Sequence, residues 1–334
     1  MYSFCRGADS SCSCVCCCYE RSVSVEPSFT IAIPTFDRPE PLRHLLSLAR
    51  SQGLSNLARV VVYDDGPNSG TYAMLTREGF LTELRYERNE HNLGYARNFL
   101  RILGETETTH VLVTADDDVL DRDGIETTIA ELTRDAADLL VTSFRAHDGA
   151  LIRSRRVPGP VLPSEIHKAF SHAPGLVYRA DSARPYLPFL ERRLMLGCAA
   201  TTYYPQVVLG TILAMRHQAR WVPATPVIEG ARCATGLRDE AGRPYNAGVN
   251  RFAQLIAFDE VFTELQALAT SQGERRFIEA VLSQHRRGAF KRIIRAVGRE
   301  APELAMAVER SATAYALRHP RRVLRAWLHR RRRA

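Results

Sequence analysis

The fold is decided by FTIAIPTFDRPEPLRHLLSLARSQG, which is residues 29–53 of a 334-residue sequence. Its first six residues form a short apolar run that ends at Pro34, a pattern typical of a buried strand. The remaining residues have apolar side chains at helical spacing and end at Gly53, and glycine commonly terminates helices. The stretch therefore predicts one βα unit.

The alternation of strand and helix continues outward from this unit. Apolar runs predict further strands at ARVVVYDDG (58–66), LTELRYERN (81–89), HVLVTADDD (110–118) and ADLLVTSF (137–144). Helical patterns lie between them, including one over residues 124–134 with Asp123 as its expected N-cap. Near-continuous apolar strands alternating with helices predict an α/β fold with a doubly wound, mostly parallel sheet covered on both faces.

The expected organisation has four parts. These are a disordered Cys-rich tail (1–28), a first half of the sheet domain (29–145), a second half entered through a Gly-, Pro- and Arg-rich loop (146–249), and a helical, basic C-terminal extension (250–334). Six of the eight cysteines crowd the first 18 residues without the paired spacing of a zinc site. Only Cys198 and Cys233 remain in the body, so no disulfide framework is expected, which favours a reducing cytoplasm.

The net charge of +8 is carried by arginine, because the sequence has only two lysines, Lys168 and Lys291. This bias is typical of a GC-rich bacterial genome. No apolar run is long enough for a spanning helix. The C-terminal RHPRRVLRAWLHRRRRA (318–334) alternates apolar residues with arginines, which favours peripheral contact with the inner face of a membrane or, equally, a solvated charge run. No nucleic-acid-binding motif accompanies it, so no nucleic-acid partner is expected.

Four segments carry polar residues in a defined order, namely IPTFDRPEPL, VVYDDGPNSG, NEHNLGYARN and VLVTADDDVL. Together they resemble the family 2 glycosyltransferases over residues 29–144, and among these the bacterial O-antigen and capsule type. The resemblance implies the GT-A fold with a helical C-terminal extension. It also implies transfer of a hexosyl or deoxyhexosyl unit, with inversion, from a nucleotide-diphosphate sugar to a saccharide or lipid-linked acceptor in cell-envelope polysaccharide biosynthesis.

The acidic run Asp116, Asp117 and Asp118 follows an apolar strand directly. By the resemblance, it holds Mg²⁺ or Mn²⁺ against the donor diphosphate, since hard divalent cations prefer carboxylate oxygens and substrate phosphate. We expect Asp118 to be the principal, catalytic ligand, with Asp116 or Asp117 second. The alternative is an acidic capping turn, but three adjacent acids repel one another without a cation.

The other motifs supply the expected donor-binding residues. The resemblance implies that Asp64 and Asp65 accept a hydrogen bond from the nucleotide base, at a strand end that we expect to be solvated. The remaining expected donor contacts are Pro34, Thr35 and Asp37 around the same base, and Asn92, Gly94, Arg97 and Asn98 near the phosphates. The alternatives are an Asp-Gly turn for the acidic pair and an ordinary helix N-terminus for the asparagine-glycine motif.

The sequence departs from the family at the general base. Inverting members place an acid late in the chain to deprotonate the acceptor hydroxyl, whereas residues 197–206 contain none. Glu191 is the nearest substitute, and later ones are Glu229, Asp239 and Glu240. Two further functions stay open: a sugar-nucleotide pyrophosphorylase, although PTFDRPE has no glycine with which to grip a triphosphate, and a non-catalytic nucleotide-sugar-binding protein.

Overall fold

The computed structural model describes residues 28–66, 70–134, 137–230 and 248–300. Within these ranges the strands form a large sheet and a small one. The strands are β1 (Phe29–Thr35), β2 (Arg59–Asp64), β3 (Arg85–Arg88), β4 (His110–Val113), β5 (Val119–Leu120), β6 (Leu139–Val141), β7 (Phe144–Arg145), β8 (Leu151–Arg153), β9 (Gly159–Pro160), β10 (Leu176–Arg179), β11 (Ala219–Trp221) and β12 (Val227–Ile228). The eight-stranded sheet has the order β3-β2-β1-β4-β10-β6-β11-β9, and the four-stranded sheet has the order β5-β12-β7-β8.

The helices cover both faces of the large sheet. They are α1 (Pro39–Ser51), α2 (Thr71–Arg77), α3 (Tyr95–Glu105), α4 (Arg122–Arg134), α5 (Ile166–Phe170), α6 (Ala180–Ala183), α7 (Leu187–Met195), α8 (Ala199–Tyr203), α9 (Pro205–Arg216), α10 (Gly248–Ala267) and α11 (Gln272–Glu300). The predicted βα unit of residues 29–53 is confirmed as β1 and α1. Residues 199–221 form two helices, α8 and α9, followed by the separate strand β11.

Strand β1 is mostly apolar, with only Thr30 and Thr35 as polar residues, because each of its faces packs against helices. Ile31 and Ile33 lie in one hydrophobic cluster with Leu45 of α1, while Ala32 lies in the other cluster with Phe99 of α3. Successive side chains of a strand point to opposite faces, so a strand covered on both sides has no polar alternation. The prediction of a doubly covered sheet from near-continuous apolar runs is therefore confirmed.

The large sheet is mostly parallel but not entirely so. Strands β3, β2, β1 and β4 are mutually parallel, as expected for the first half. Strand β10 then pairs antiparallel with both β4 and β6, so a strand from the second half of the chain lies between two from the first. Residues on both sides of the predicted boundary at 145 thus share one sheet, and that boundary stays a prediction.

The small sheet begins directly after the acidic run. Strand β5 pairs with β12, and β12 pairs with β7, which brings the end of β12 back to the carboxyl edge of the large sheet. Helix α4 follows β5, and its N-terminus is capped by Asp121, whose Oδ2 accepts from Gly124 N at 2.8 Å. The predicted cap, Asp123, is therefore wrong, and its side chain is exposed.

The predicted helical region from residue 250 is confirmed as α10 and α11, up to Glu300. Phe262 of α10 and Ile278 of α11 are fully buried in the cluster that also contains Leu209 of α9. None of the helices in the described ranges combines the length and apolarity needed to cross a membrane. The N-terminal cysteines and the basic tail of residues 318–334 lie outside the described residues.

Candidate functional site

The carboxyl ends of three parallel strands meet at one edge of the large sheet. Thr35 ends β1 and Asp64 ends β2, and Asp116 lies three residues beyond the end of β4. Thr35 connects the three ends, because its carbonyl oxygen accepts from Asp65 N at 2.8 Å and its hydroxyl donates to Asp116 Oδ2 at 2.7 Å. The structure thus places the polar ends of these strands together, at the edge where open sheets bind ligands.

Two of the three aspartates in the acidic run face an arginine. Arg38 Nη1 donates to Asp116 Oδ1 at 2.7 Å, and Arg38 Nη2 donates to Asp117 Oδ2 at 2.6 Å. One guanidinium therefore bridges two neighbouring carboxylates, and about a quarter of the side chain of both Arg38 and Asp117 stays exposed. Sequence reasoning missed this arginine, although it lies within the first quoted motif.

The backbone of the first motif carries Arg38 to this position. Asp37 has a φ of 50°, in the left-handed region that a non-glycine residue seldom adopts. The next two residues are Arg38 and Pro39, and α1 begins at that proline. A residue before proline is excluded from the helical conformation, so Arg38 stays outside the helix and directs its side chain across the sheet edge.

Asp118 has different hydrogen-bond partners from its two neighbours. Its Oδ2 accepts from Ala115 N at 2.9 Å and from Thr114 Oγ1 at 3.3 Å, and the backbone of Gly230 also donates to this carboxylate. Asp118 is only 5% exposed. Its contacts hold the turn together, and the role of Asp118 as the principal metal ligand stays a prediction.

The end of β12 closes over the acidic run. A Cβ on Gly230 would lie 1.5 Å from the carbonyl oxygen of Asp117, so only glycine fits at this position. The close approach removes solvent from the turn. Burial accordingly raises the pKa of Asp116 to about 6, although Thr35 and Arg38 partly oppose the shift, and burial raises the pKa of Asp118 to about 7.

The acidic run fits a hard divalent cation in part. Arg38 shows that Asp116 and Asp117 can present oxygens to one positive charge from two sides. Within the described ranges, however, no three Asp, Glu, His or Cys side chains converge on a common point. A cation held here would complete its shell with water and donor phosphate oxygens, as Mg²⁺ ordinarily does.

The acidic pair at the end of β2 is fully engaged with the protein. Asp64 Oδ1 accepts from Gly66 N at 2.9 Å and its Oδ2 accepts from Tyr86 Oη at 2.8 Å. Asp65 Oδ1 accepts from Asn89 Nδ2 at 2.6 Å and from Leu93 N at 2.7 Å. The expectation of a solvated strand end is wrong, since Asp64 and Asp65 are 0% and 3% exposed.

Asp65 also fixes the asparagine-glycine motif that precedes α3. Its Oδ2 accepts from Gly94 N at 2.8 Å, and Asn92 Oδ1 accepts from the same N–H at 2.8 Å. Gly94 has a φ of 78°, which favours glycine at this turn. The side chain of Asn98 is buried and donates to Tyr63 O at 3.2 Å, so Asn98 joins α3 to β2.

The nearest substitute for the base is paired with a predicted donor residue. Arg97 Nε donates to Glu191 Oε1 at 3.0 Å, which joins α3 to α7, and both side chains are more than 40% exposed. Gly197 and α8 follow on the chain, again without an acid. Glu229 lies in the turn after β12, where its backbone N–H donates to Arg145 O. Asp239 and Glu240 lie outside the described residues.

Comparisons with known proteins agree with this geometry. The model of Glycosyl transferase family 2 matches residues 30–189, which include β1 to β4 and the acidic run. A comparison with curated proteins found no match. Among solved structures, residues 1–349 of S. aureus TarS in complex with UDP-GlcNAc superpose with a TM-score of 0.57, at 14% identity over 81% of this chain and 79% of that chain. A second structure of residues 1–349 of S. aureus TarS superposes with a TM-score of 0.54, at 14% identity over 84% of this chain and 82% of that chain. The expected GT-A architecture is confirmed.

Proposed function

We propose that this chain, whose residues 30–189 match the model of Glycosyl transferase family 2, is a glycosyltransferase that moves a sugar from a nucleoside-diphosphate donor to an acceptor hydroxyl with the help of a divalent cation. The family match and the GT-A fold support glycosyl transfer from a nucleotide sugar. The metal, the acceptor and the residue roles below are our own assignments.

A single arrangement carries the proposal. Asp116, anchored by Thr35, and Asp117 converge on one cationic group at the carboxyl edge of β1 and β4. A glycosyl transfer from a diphosphate needs a positive charge at this edge, because negative charge develops on the departing diphosphate. Mg²⁺ or Mn²⁺, when bound, would supply that charge as a Lewis acid.

We assign the metal to Asp116 and Asp117 rather than to Asp118. The partner of the first two is a side chain that can move away, whereas the contacts of Asp118 are largely with backbone N–H groups of its own turn and of Gly230. Asp118 acts as a positioning residue that fixes the turn on which Asp116 and Asp117 lie. Asp64 and Asp65 act in the same way on the turns around them. We assign donor contacts to the exposed Asp37 and Arg97, the latter through its terminal nitrogens while its Nε donates to Glu191.

We propose Glu191 as the base, because Arg97 holds it beside the donor motif. An inverting transfer of a hexosyl or deoxyhexosyl unit to a saccharide or lipid-linked acceptor follows from the family resemblance, as does a place in cell-envelope polysaccharide synthesis. The lack of an acid at residues 197–206 favours one rival, a protein that binds nucleotide sugars without transferring them.

The test is a thermal-shift screen of UDP-, GDP-, CDP- and dTDP-sugars with and without Mn²⁺, followed by an assay for donor hydrolysis and transfer. UDP sugars come first, since the similar TarS structure contains UDP-GlcNAc. Asp117→Asn preserves side-chain volume, and Asp123→Asn is its control because that aspartate is exposed on α4.

We expect Mn²⁺-dependent stabilisation by one class of donor and at least a hundredfold loss of turnover in Asp117→Asn, on the order of one removed charge-stabilising group. Asp123→Asn should behave as the wild type. Donor binding without turnover by any acceptor class would favour the binding protein, and no response to any nucleotide sugar would refute the proposal.

A further inference from the structure

Arg38 provides a cation of the protein's own at the place where the proposed function requires a metal. Its two terminal nitrogens contact different carboxylates at 2.7 and 2.6 Å, a forked arrangement that a single ammonium group cannot reproduce. The same Asp116 carboxylate accepts from Thr35 through its other oxygen. Both oxygens of Asp116 and one of Asp117 therefore already have a donor.

A divalent cation and the guanidinium need the same oxygens. Asp116 is 3% exposed and has little freedom to turn elsewhere, because Thr35 fixes one of its oxygens. Two positive groups on the same pair of carboxylates would also repel each other at short range. A metal can consequently reach Asp116 and Asp117 together only after Arg38 has moved away.

We infer that Arg38 is a cation that competes with the metal. It holds the acidic pair before the donor arrives, and when the donor binds, Arg38 leaves the pair to the metal and moves to the donor diphosphate. This inference rests on the proposed function. The released guanidinium starts from the sheet edge itself, next to the N-terminus of α1 at Pro39. Guanidinium groups bind phosphate in the same forked manner as carboxylate, so the diphosphate offers Arg38 an equivalent partner.

The exchange makes metal and nucleotide depend on each other. Without a diphosphate, metal binding must break the two charge-assisted hydrogen bonds between Arg38 and the acidic pair and offers the guanidinium no new anionic partner in return. With a diphosphate, the arginine gains a new partner, and the metal binds more tightly by the same coupling that tightens the nucleotide. Arg38 thereby keeps the acidic pair neutralised in the free enzyme and favours metal binding when the donor is present.

The test measures Mn²⁺ affinity directly, by the electron paramagnetic resonance signal of free Mn²⁺, for wild type, Arg38→Gln, Arg38→Lys and Arg43→Gln. Arg43 is the matched control, because it lies a few residues after Arg38, on α1, and pairs with Glu40 rather than with the acidic run. Its removal changes the net charge by the same amount. Each protein is measured alone and with saturating UDP or GDP, and its melting temperature in EDTA reports whether it is folded.

Without nucleotide, Arg38→Gln should bind Mn²⁺ about tenfold more tightly than the wild type, which is on the scale of typical coupling between sites. Arg43→Gln should stay within about twofold, since a distant exposed charge is screened. The Mn²⁺ affinity of Arg38→Lys should lie between those of Arg38→Gln and Arg43→Gln. Adding the nucleoside diphosphate should tighten Mn²⁺ binding by about tenfold in the wild type and by clearly less in Arg38→Gln.

Unchanged or weaker Mn²⁺ binding in Arg38→Gln would overturn the inference, as would an equal gain in Arg43→Gln, which would reveal a general charge effect. If Arg38→Gln does not fold, the comparison of Arg38→Lys with the wild type decides. Wild-type Mn²⁺ binding that Asp117→Asn abolishes, without tightening in either Arg38 variant, would leave the proposed function standing and refute the competition alone. No Mn²⁺ binding by the wild type, even with nucleotide, would refute both.

Discussion

Replacing Asp65 by alanine separates two roles for the acidic pair at the end of β2. If Asp65 served mainly to accept a hydrogen bond from the nucleotide base, the substitution would weaken binding by roughly threefold to tenfold, as for one hydrogen bond, and leave stability unchanged. The structure supports a different expectation. Asp65 is buried and accepts three hydrogen bonds, from Asn89 Nδ2, Leu93 N and Gly94 N.

The size of the effect follows from those three donors. Each buried donor left without an acceptor costs about 1–3 kcal/mol. Gly94 N keeps Asn92 Oδ1 as an acceptor, and the partial exposure of Leu93 and Gly94 lets water replace some of the remaining loss. We therefore expect Asp65→Ala to reduce the free energy of unfolding by about 3 kcal/mol, the lower end of the roughly 3–9 kcal/mol that the full loss of three acceptor contacts would cost. For a domain of this size the melting temperature should fall by roughly 6 °C. Asp65→Asn keeps one oxygen and should lose about half as much.

Urea unfolding and thermal melting measure the stability, and hydrogen exchange of the Leu93 and Gly94 amides shows whether the turn before α3 has opened. Asp123→Ala is the control, since an exposed acid in the first turn of α4 contributes less than about 1 kcal/mol. If Asp65→Ala melts with the wild type and protects both amides normally, while nucleotide affinity falls, then the structural role of Asp65 is wrong and direct contact with the base is correct.

Two further predictions concern pH and the C-terminal tail. Burial raises the pKa of Asp116 to about 6 and of Asp118 to about 7, above the usual 3.8, so the metal-free fold favours their protonated forms and should lose stability as pH rises from about 4 to 7. Mn²⁺ binds only the ionised carboxylate, so the rise in melting temperature on adding Mn²⁺ should be larger at pH 8 than at pH 5. A rise that is independent of pH would contradict this. Asp118→Asn should remove part of the pH dependence of the metal-free protein's stability. Removal of residues 318–334 should release the protein from anionic vesicles while sparing donor hydrolysis. If the segment is helical, one of its faces carries the apolar residues Val323, Leu324, Trp327 and Leu328. Each arginine near an anionic surface adds about 1 kcal/mol to binding. Co-sedimentation with anionic and neutral vesicles at low and high salt measures this, and equal pelleting of intact and truncated protein would show that the tail is an ordinary solvated end.

The sequence predicted the first half of the sheet because its strands carry their own evidence. In β1 and β2 nearly every residue is buried, which produces an apolar run that no exposed strand would have. The polar residues that end these runs were therefore placed at the correct edge. The pattern could not reveal β10 as an antiparallel strand between β4 and β6, since the direction of a fully buried strand leaves no trace in its composition.

The side-chain partners of the acidic residues could not be predicted from the sequence, for a different reason. Tyr86 lies on β3, and Asn89 directly follows it as the first residue of NEHNLGYARN. Each is more than 20 residues from the acid that it contacts, and the local sequence around neither of them indicates that contact. Arg38 lies within a motif, but an arginine next to a proline is as typical of a solvated loop as of a site. Asp121 and Asp123 are equally good caps by composition, and only the backbone turn after β5 decides between them.

Five carboxylates lie together at this edge, four of them buried and Asp117 partly exposed. Each accepts from a donor within the protein, because a buried ionised carboxylate without one would be strongly destabilising. The nature of that donor separates their roles. Asp65 and Asp118 accept from backbone N–H groups, and Asp64 accepts from the backbone N–H of Gly66 and the hydroxyl of Tyr86, so releasing any of the three would open a turn. Asp116 and Asp117 share a long side chain that can rotate away at little cost to the fold. A ligand can take over an oxygen only where the existing partner can leave, and for this reason we place the exchangeable metal on the pair held by Arg38.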